Sequence, residues 1–269
     1  MCAFFYICLS VVMPRVALGV EYDGAGFCGW QMQKSGVRTV QEELEKALSL
    51  VANMPVRVHC AGRTDTGVHG VGQVVHFDTA AQRSPRSWIL GANSNLPFDV
   101  NVTWAKQVDE AFHARFSAIS RAYRYIILNR ATRSCLNRNR AVWTHRPLDA
   151  GRMHEAAQSL IGSHDFSSFR AQGCQAKSPV RILSYLDVSR QDDRIIINVG
   201  ANAFLHHMVR NLAGVLMTIG RGDEAVGWAR EVLERRDRTR GGVTAPPEGL
   251  YLMHVGYPGE FEIPEPPVF

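Results

Sequence analysis

The residues best suited to chemistry lie in one glycine-rich segment, residues 60–70, which reads CAGRTDTGVHG. It brings one carboxylate, Asp65, and one guanidinium, Arg63, into a turn between two strand-like runs, residues 56–60 and 73–78. Such a turn can hold an acid rigidly at the rim of a sheet, where an ionised carboxylate can act as a nucleophile. The same composition also suits an ordinary surface turn, in which Gly supplies positive φ and Asp a local hydrogen bond.

The triplet Asp65-Thr66-Gly67 also matches the short motif of aspartic proteases, in which two carboxylates share one proton. The chain holds only one such triplet, so a protease would need a symmetric dimer that brings two copies of Asp65 together. The guanidinium of Arg63 would favour an ionised carboxylate over a shared proton. The sequence therefore disfavours a protease.

No metal or nucleotide motif is recognisable in the sequence. His206 and His207 are adjacent, so on a helix their side chains would point about 100° apart. The chain has no HExxH motif and no P-loop, and the glycines at residues 67–72 occur in the reverse of the dinucleotide spacing. We therefore predict no metal site and no organic cofactor, and interpret five histidines as core or surface residues: His59, His69, His76, His206 and His207.

Basic residues are concentrated in the middle of the chain. The protein has 269 residues, of which 46% are hydrophobic and 20% charged, and this composition is typical of a globular protein with a substantial core. The formal net charge is only +5. Arginines without a local counter-charge favour a polyanionic partner, because each phosphate contact releases counterions, although a solvated basic face is the alternative. Residues 111–148 contain no Asp or Glu and hold eight arginines: Arg115, Arg121, Arg124, Arg130, Arg133, Arg138, Arg140 and Arg146.

Strand-like and helix-like patterns interleave along the chain and would position these residues. The first strand is predicted at Arg15–Tyr22, and the first helix starts at Thr39, where Glu42 would complete a capping box. A long helix with an apolar stripe is predicted to begin at Asn202. The pattern predicts an α+β fold, in which two similar α/β halves share a mainly antiparallel central sheet, with helices packed on one side and a basic cleft between the halves.

The two halves are predicted at residues 14–117, with the Asp65 turn, and 118–269, with the basic strand and the long helix. Residues 1–13 are apolar but lack a basic start and a cleavage site, and their apolar run is too short to span a bilayer. We interpret them as an extension outside the fold, with Met13 as an alternative start. The six cysteines form no CxxC pair, which is typical of reduced thiols in a cytoplasm.

Several motifs occur together in a fixed order between residues 16 and 256. Residues 62–69 read GRTDTGVH, and this segment is accompanied by YDG at 22–24, TVQE at 39–42, RAYRY at 121–125, CQAKSP at 174–179 and FLHHMVRN at 204–211. The series resembles the signature of the TruA-type tRNA pseudouridine synthase family. Because the motifs are spread over both predicted halves, they are far more specific than a single turn.

The resemblance implies a role for each matching residue. Asp65 corresponds to the catalytic aspartate, Arg63 to the arginine beside it, Tyr123 to the aromatic residue that stacks on the target base, and Arg210 to the helix arginine that pairs with the aspartate. Tyr125 shares a strand face with Tyr123, and the residue pattern alone does not choose between them.

The resemblance also implies a substrate, a reaction and partners. Members of the family isomerise uridine to pseudouridine at positions 38, 39 and 40 of the tRNA anticodon stem-loop, as homodimers without metal or organic cofactor. With Tyr123, the neighbouring Arg121 and Arg124 are predicted to bind this substrate, and no membrane association is expected. Whether Asp65 would attack C6 of the base or C1′ of the ribose stays open.

The alternative is a non-catalytic RNA-binding protein, in which Asp65 is only a turn residue. A carboxylate in a basic groove repels phosphate, so a pure RNA binder would gain nothing from it. The sequence therefore favours the enzyme.

Overall fold

The computed structural model describes residues 13–269 of the chain. The extension predicted for residues 1–13 lies outside the described residues except for Met13, as do Cys2 and Cys8. The strands are β1 (Arg15–Tyr22), β2 (His59–Cys60), β3 (His69–Asp78), β4 (Val100–Val108), β5 (Ser120–Asn129), β6 (Val142–Thr144), β7 (Gly162–Asp165), β8 (Val180–Gln191), β9 (Arg194–Ala201) and β10 (Leu250–Gly256). The longer helices are α1 (Val40–Ala52), α2 (Pro85–Asn95), α3 (Ala150–Gln158), α4 (Met208–Gly220) and α5 (Trp228–Arg235).

The ten strands form one continuous sheet in the order β4-β1-β3-β10-β5-β9-β8-β7, with β2 paired to β3 and β6 paired to β5. All pairs are antiparallel except β10 with β3 and β5 with β6. The last strand, β10, lies between β3 and β5. It therefore joins the strands of the first half of the chain to those of the second.

The helices bury the alternate residues of the strands. In β1, Leu18 and Val20 belong to a core shared with Leu44 and Leu48 of α1, whereas Ala17, directly before Leu18, belongs to a different core on the opposite face. A larger core gathers residues from α3, α4 and α5 with residues of β5, β8 and β9. This arrangement confirms the predicted α+β fold with a mainly antiparallel sheet.

Helix α4, which carries Arg210, begins later in the chain than the sequence predicts. The predicted start, Asn202, instead closes the end of β8 and β9, since its Oδ1 accepts hydrogen bonds from the backbone N–H groups of Ile182 and Ala203. Helix α4 starts only at Met208, so the prediction of a helix from Asn202 was wrong. Residues 202–207 therefore form a connection whose side chains need not follow helical spacing.

The predicted capping box is also absent. Thr39 does precede α1, but its side chain makes no capping hydrogen bond, and its Oγ1 is buried without a partner among the described residues. Glu42 forms a salt bridge with Lys46 at 2.9 Å instead of reaching back to the helix start. The strand predicted at residues 56–60 shortens to His59–Cys60.

Two further observations concern membrane-spanning helices and the state of the cysteines. In residues 13–269, none of the helices is long and apolar enough to cross a membrane. The four cysteines in this part of the chain, Cys28, Cys60, Cys135 and Cys174, are free thiols.

Candidate active site

The turn that carries Asp65 is fixed by the residue before it. The backbone carbonyl of Thr64 accepts a hydrogen bond from the N–H of Trp30 at 3.0 Å, and its hydroxyl lies 2.9 Å from the buried hydroxyl of Tyr22. The carbonyl of Asp65 itself accepts from the N–H of Val68 at 3.1 Å. The backbone of the turn is therefore held while the side chain of Asp65 stays 28% exposed.

Gly29 is the residue that allows this close approach. It adopts φ +85°, and a Cβ at this position would lie 2.8 Å from the carbonyl oxygen of Thr64. A side chain there would both strain the backbone and push the turn away. Gly29, directly before Trp30, is therefore required for the position of Asp65.

Three N–H donors from the second half of the chain surround the carboxylate of Asp65. Nε2 of His206 lies 3.3 Å from Oδ1, and Nε2 of His207 lies 3.2 Å from Oδ2. Nη1 of Arg210 donates to the same Oδ2 at 3.3 Å. With a proton on Nε2, each imidazole can donate to the carboxylate, as Arg210 does.

The start of α4 places these three side chains. His207 lies directly before the helix with φ 60° and makes no side-chain capping hydrogen bond, so its imidazole is free to point towards Asp65. Arg210 follows in the first turn of α4, and its Nε donates to the carbonyl of Ala245 at 2.8 Å. This second bond fixes the guanidinium, whose side chain is only 14% exposed.

Burial influences the charge of His207. The side chain of His207 is 29% exposed and that of His206 is 47% exposed. Burial lowers the pKa of His207 below its usual value, although the negative charge of Asp65 acts in the opposite direction. His207 therefore favours the neutral form near pH 7, in which a proton on Nε2 still allows it to donate to Asp65.

Tyr123 of β5 faces the Asp65 turn. A Cβ at Gly62 would lie 3.7 Å from its hydroxyl oxygen, and its ring packs edge-on against Phe204, with ring centroids 5.0 Å apart. Burial raises the pKa of Tyr123 to about 12, with a smaller lowering effect from Arg121 and a further rise from Asp65. Among the described residues, the hydroxyl of Tyr123 has no hydrogen-bond partner, whereas Tyr125 donates to the carbonyl of Pro246 at 2.8 Å.

Two other predicted site residues, Arg63 and Arg124, lie in different settings. Arg63 is exposed and forms no ion pair with Asp65 in residues 13–269, so the guanidinium that holds the carboxylate is that of Arg210. Arg124 lies on the opposite face of β5 from Tyr123, where it donates to Asn198 and to the carbonyl of Phe269.

Arg121 acts as a clamp on the backbone. Its two terminal nitrogens donate to four carbonyl oxygens, those of Ala61, Arg115, Ala118 and Asn202, at 2.8–3.3 Å. Burial lowers the pKa of its guanidinium. These bonds tie β5 to Ala61 in the glycine-rich segment and indicate a positioning role, and the predicted contact of Arg121 with substrate stays a prediction.

The basic segment at residues 111–148 is less free of counter-charge than its sequence indicates. Acids from other elements form salt bridges with three of its arginines: Asp193 with Arg130 at 3.7 Å, Asp23 with Arg140 at 3.3 Å, and Asp223 with Arg146 at 2.6 Å. By contrast, the side chains of Arg133 and Arg138 are exposed and form no salt bridge within residues 13–269. These two arginines are the better candidates for contact with a polyanion.

His69 joins the end of the Asp65 turn to this basic segment. It is buried, accepts at Nδ1 from the N–H of Gly24 at 3.1 Å, and places Nε2 2.8 Å from the carbonyl of Asn139. Its ring stacks on Tyr251, which donates to the carbonyl of Arg140. The prediction that His69 is a core histidine is therefore confirmed, and its bonds fix residues 139–140 against the site.

The sequence argument missed His206 and His207 as members of the site. Together with Asp65 they place three atoms able to bind a metal within 4.8 Å of one another, so the prediction that these histidines offer no such grouping was wrong. The 100° argument assumed a helix, whereas both residues precede α4. Their position within the motif at residues 204–211 was the available signal.

The fold and the site together define a protein with a single carboxylate at the seam between two parts of a mainly antiparallel sheet. A family model described as tRNA pseudouridine synthase matches residues 19–117 and 156–258. The chain belongs to this family, which confirms the resemblance found in the motifs.

Curated relatives agree with this assignment. The chain is 60% identical over 250 residues to tRNA pseudouridine synthase A of Nitrosococcus oceani, covering 93% of this chain and 96% of the relative. It is 58% identical over 253 residues to tRNA pseudouridine synthase A of Pseudomonas aeruginosa, covering 94% and 89%. The protein of the same name from Methylococcus capsulatus is 58% identical over 255 residues, covering 95% and 94%.

Proposed function

We propose that this protein isomerises uridine to pseudouridine at positions 38, 39 and 40 of the tRNA anticodon stem-loop, with Asp65 as the nucleophile. The observation that carries the proposal is the carboxylate of Asp65, held on one side by a fixed turn and on the other by Arg210 at 3.3 Å. The substrate follows from the names of the relatives and from the motif resemblance.

The reaction breaks the bond between N1 and C1′ of the ribose and forms a bond between C5 and C1′. C5 loses a proton and N1 gains one, so no atoms are gained or lost overall. Asp65 must be charged to add to the base at C6 or to the ribose at C1′, and Arg210 with the two imidazoles orients its carboxylate. Both points of attack remain compatible with this arrangement.

The target base must leave its stack to reach Asp65, which costs about a few kcal/mol. Stacking on an aromatic side chain recovers about 1–3 kcal/mol, and Tyr123 is the tyrosine of β5 with an unpaired hydroxyl among the described residues. Because its pKa is raised to about 12, the hydroxyl stays protonated at neutral pH. Tyr123 is therefore better suited to position the base than to accept the proton from C5.

The partner in this proposal is tRNA, which the exposed Arg133 and Arg138 would contact through its phosphates. Each phosphate contact adds to the salt dependence of binding, so replacing either arginine with Gln should reduce the slope of log affinity against log salt by about 1. Arg121→Gln should instead lower stability, because it leaves backbone carbonyls without their donor. A homodimer and a cytoplasmic location complete the proposal and rest on the family resemblance and the free thiols.

The test is tritium release from C5 of uridine-labelled tRNA by wild-type protein and by Asp65→Asn, with tRNA binding measured in parallel. We expect release by the wild type only, at labelled positions 38, 39 and 40, and binding by both proteins. Turnover by Asp65→Asn at the wild-type rate would contradict the assignment of Asp65. Tight tRNA binding by the wild type without any release would favour the alternative of a non-catalytic RNA-binding protein.

A further inference from the structure

We propose that Asp65, His206 and His207 form a binding site for a divalent transition metal of the zinc class, and that the bound ion reversibly inhibits the enzyme. The inference goes beyond the proposed isomerisation, which needs no metal. It rests on the positions of three ligand atoms and on the backbone that holds them.

Each imidazole lies at the spacing of neighbouring tetrahedral zinc ligands from one carboxylate oxygen, although the two imidazoles approach different oxygens of Asp65. Two ligands bonded at about 2.0–2.1 Å and separated by a tetrahedral angle lie about 3.3–3.4 Å apart. Nε2 of His206 lies 3.3 Å from Oδ1 of Asp65, and Nε2 of His207 lies 3.2 Å from Oδ2. All three potential ligand atoms lie within 4.8 Å of one another.

The chemistry of the three ligands selects the class of metal. Two imidazole nitrogens and one carboxylate oxygen suit zinc, cobalt, nickel or copper, whereas calcium and magnesium prefer sites made wholly of oxygen. Three protein ligands also leave at least one coordination position open for water. Within residues 13–269, this is the one group of His, Cys, Asp or Glu side chains with such spacing.

The backbone holds both histidines in place before any ion arrives. The carbonyl of His206 accepts from the N–H of Ala171 at 3.0 Å, and its N–H lies 3.4 Å from Sγ of Cys174. His207 is fixed at φ 60° by the hydrogen bond from Asn211 to its carbonyl at 2.9 Å. Little ordering is therefore needed for the imidazoles to bind a metal.

Arg210 opposes binding of the ion. Its Nη1 lies 3.3 Å from Oδ2 of Asp65, so a metal on that oxygen must displace a guanidinium that also donates to the carbonyl of Ala245. Removing this positive charge should therefore strengthen metal binding, even though it should weaken catalysis. A bound metal occupies the oxygen lone pairs that Asp65 needs for attack, so it should inhibit turnover until a chelator removes it.

The test is a titration of untagged, metal-free protein with Co²⁺, followed by absorption in the visible range, and with Zn²⁺ in competition, both without tRNA. We expect one bound ion for the wild type. His206→Gln and His207→Asn should weaken binding by at least the roughly 10- to 100-fold that follows loss of an outer partner of a metal ligand. Asn is chosen at position 207 because it tolerates positive φ. Arg210→Gln should bind more tightly than the wild type.

His254→Gln is the matched control, because His254 pairs with Glu265 outside the cluster and its loss should leave metal binding unchanged. Thermal melting of each variant shows that it is folded. Co²⁺ binding that is absent in the wild type, or equal in folded His206→Gln and His207→Asn, would overturn the site. A bound zinc ion that leaves pseudouridine formation unchanged would overturn the inhibition. Because the titration contains no tRNA, its result does not depend on whether the proposed isomerisation is correct.

Discussion

Nη1 of Arg210 lies 3.3 Å from Oδ2 of Asp65, although 145 positions separate the two residues in the chain. The pair joins a turn from the first half of the chain to a helix from the second. Arg210 is largely buried, and its Nε is held by the carbonyl of Ala245, so the guanidinium has little freedom to leave the carboxylate. The orientation of the Asp65 carboxylate is therefore set by both halves together.

Arg210→Gln should lower kcat/KM for pseudouridine formation by roughly 100-fold, the loss typical when one donor that stabilises charge in an active site is removed. Arg210→Lys should recover only part of this activity, because one ammonium cannot bond both Asp65 and the carbonyl of Ala245. Single-turnover kinetics measure the effect. Arg235→Gln is the control, since Arg235 pairs with Glu231 on the surface of α5. Wild-type turnover by Arg210→Gln would disprove the role of the pair.

Tyr123→Phe and Tyr125→Phe should have opposite consequences, although both residues lie on one face of β5. Tyr123→Phe keeps the ring for stacking but loses the hydroxyl that faces the Asp65 turn and positions the base, so we expect kcat to fall by about 100-fold with little change in KM or stability. Tyr125→Phe loses the bond to the carbonyl of Pro246 and should cost about 1 kcal/mol of stability with little effect on kcat. Steady-state kinetics and urea unfolding of both variants separate the two roles, and the reverse pattern would show that they are exchanged.

Gly29→Ala should reduce activity by more than its loss of stability explains. Both Gly29 and Gly36 have positive φ, at +85° and +69°, so Ala strains the backbone at either position by about 1–2 kcal/mol. Only at Gly29 would the added Cβ meet another group, the carbonyl of Thr64 at 2.8 Å, and so displace Asp65. We expect Gly36→Ala to be destabilised but active, and folded Gly29→Ala to have a much lower kcat. Equal kcat in the two folded variants would argue against this role of Gly29.

The buried imidazole of His76 should make the fold sensitive to acid. Burial, together with the nearby His113, Arg15 and His59 and against the opposite effect of Asp78, lowers the pKa of His76 to about 3. An unfolded histidine titrates near about 6.5, so between about pH 6.5 and pH 3 the unfolded state binds more protons than the folded state. The stabilisation is complete above pH 6.5 and is lost as the pH falls, by up to about 1.4 kcal/mol per pH unit.

His76→Asn removes this titration and keeps an acceptor for the N–H of Ala114, which bonds Nδ1 of His76 at 3.1 Å. Urea unfolding at several pH values between neutral and acidic should therefore show a smaller loss of stability in the variant than in the wild type. Some loss should persist, because burial also lowers the pKa of His113. Identical pH profiles would show that His76 does not control acid stability.

The sequence by itself determined the elements whose signals are local. Strand β1 was predicted because strand periodicity acts over a few positions. The series of motifs between residues 22 and 211 indicated the family for the same reason, since each motif is a short local segment. The start of α4 was not determined by the sequence. The local signal at Asn202 suits a helix cap, but its side chain instead accepts a hydrogen bond at the end of β8 and β9.

The motif resemblance implied that Arg210 pairs with Asp65, but only the tertiary structure decided which other side chains surround the carboxylate. His206 and His207, from a distant connection, lie beside it, whereas Arg63, two positions away in the sequence, forms no ion pair with it in residues 13–269. In the same way, folding paired three arginines of the basic segment with acids elsewhere and committed Arg121 to backbone carbonyls. The physical reason is that electrostatic and hydrogen-bond partners are chosen by distance in space, and β10 brings the two halves together only when the whole sheet has formed.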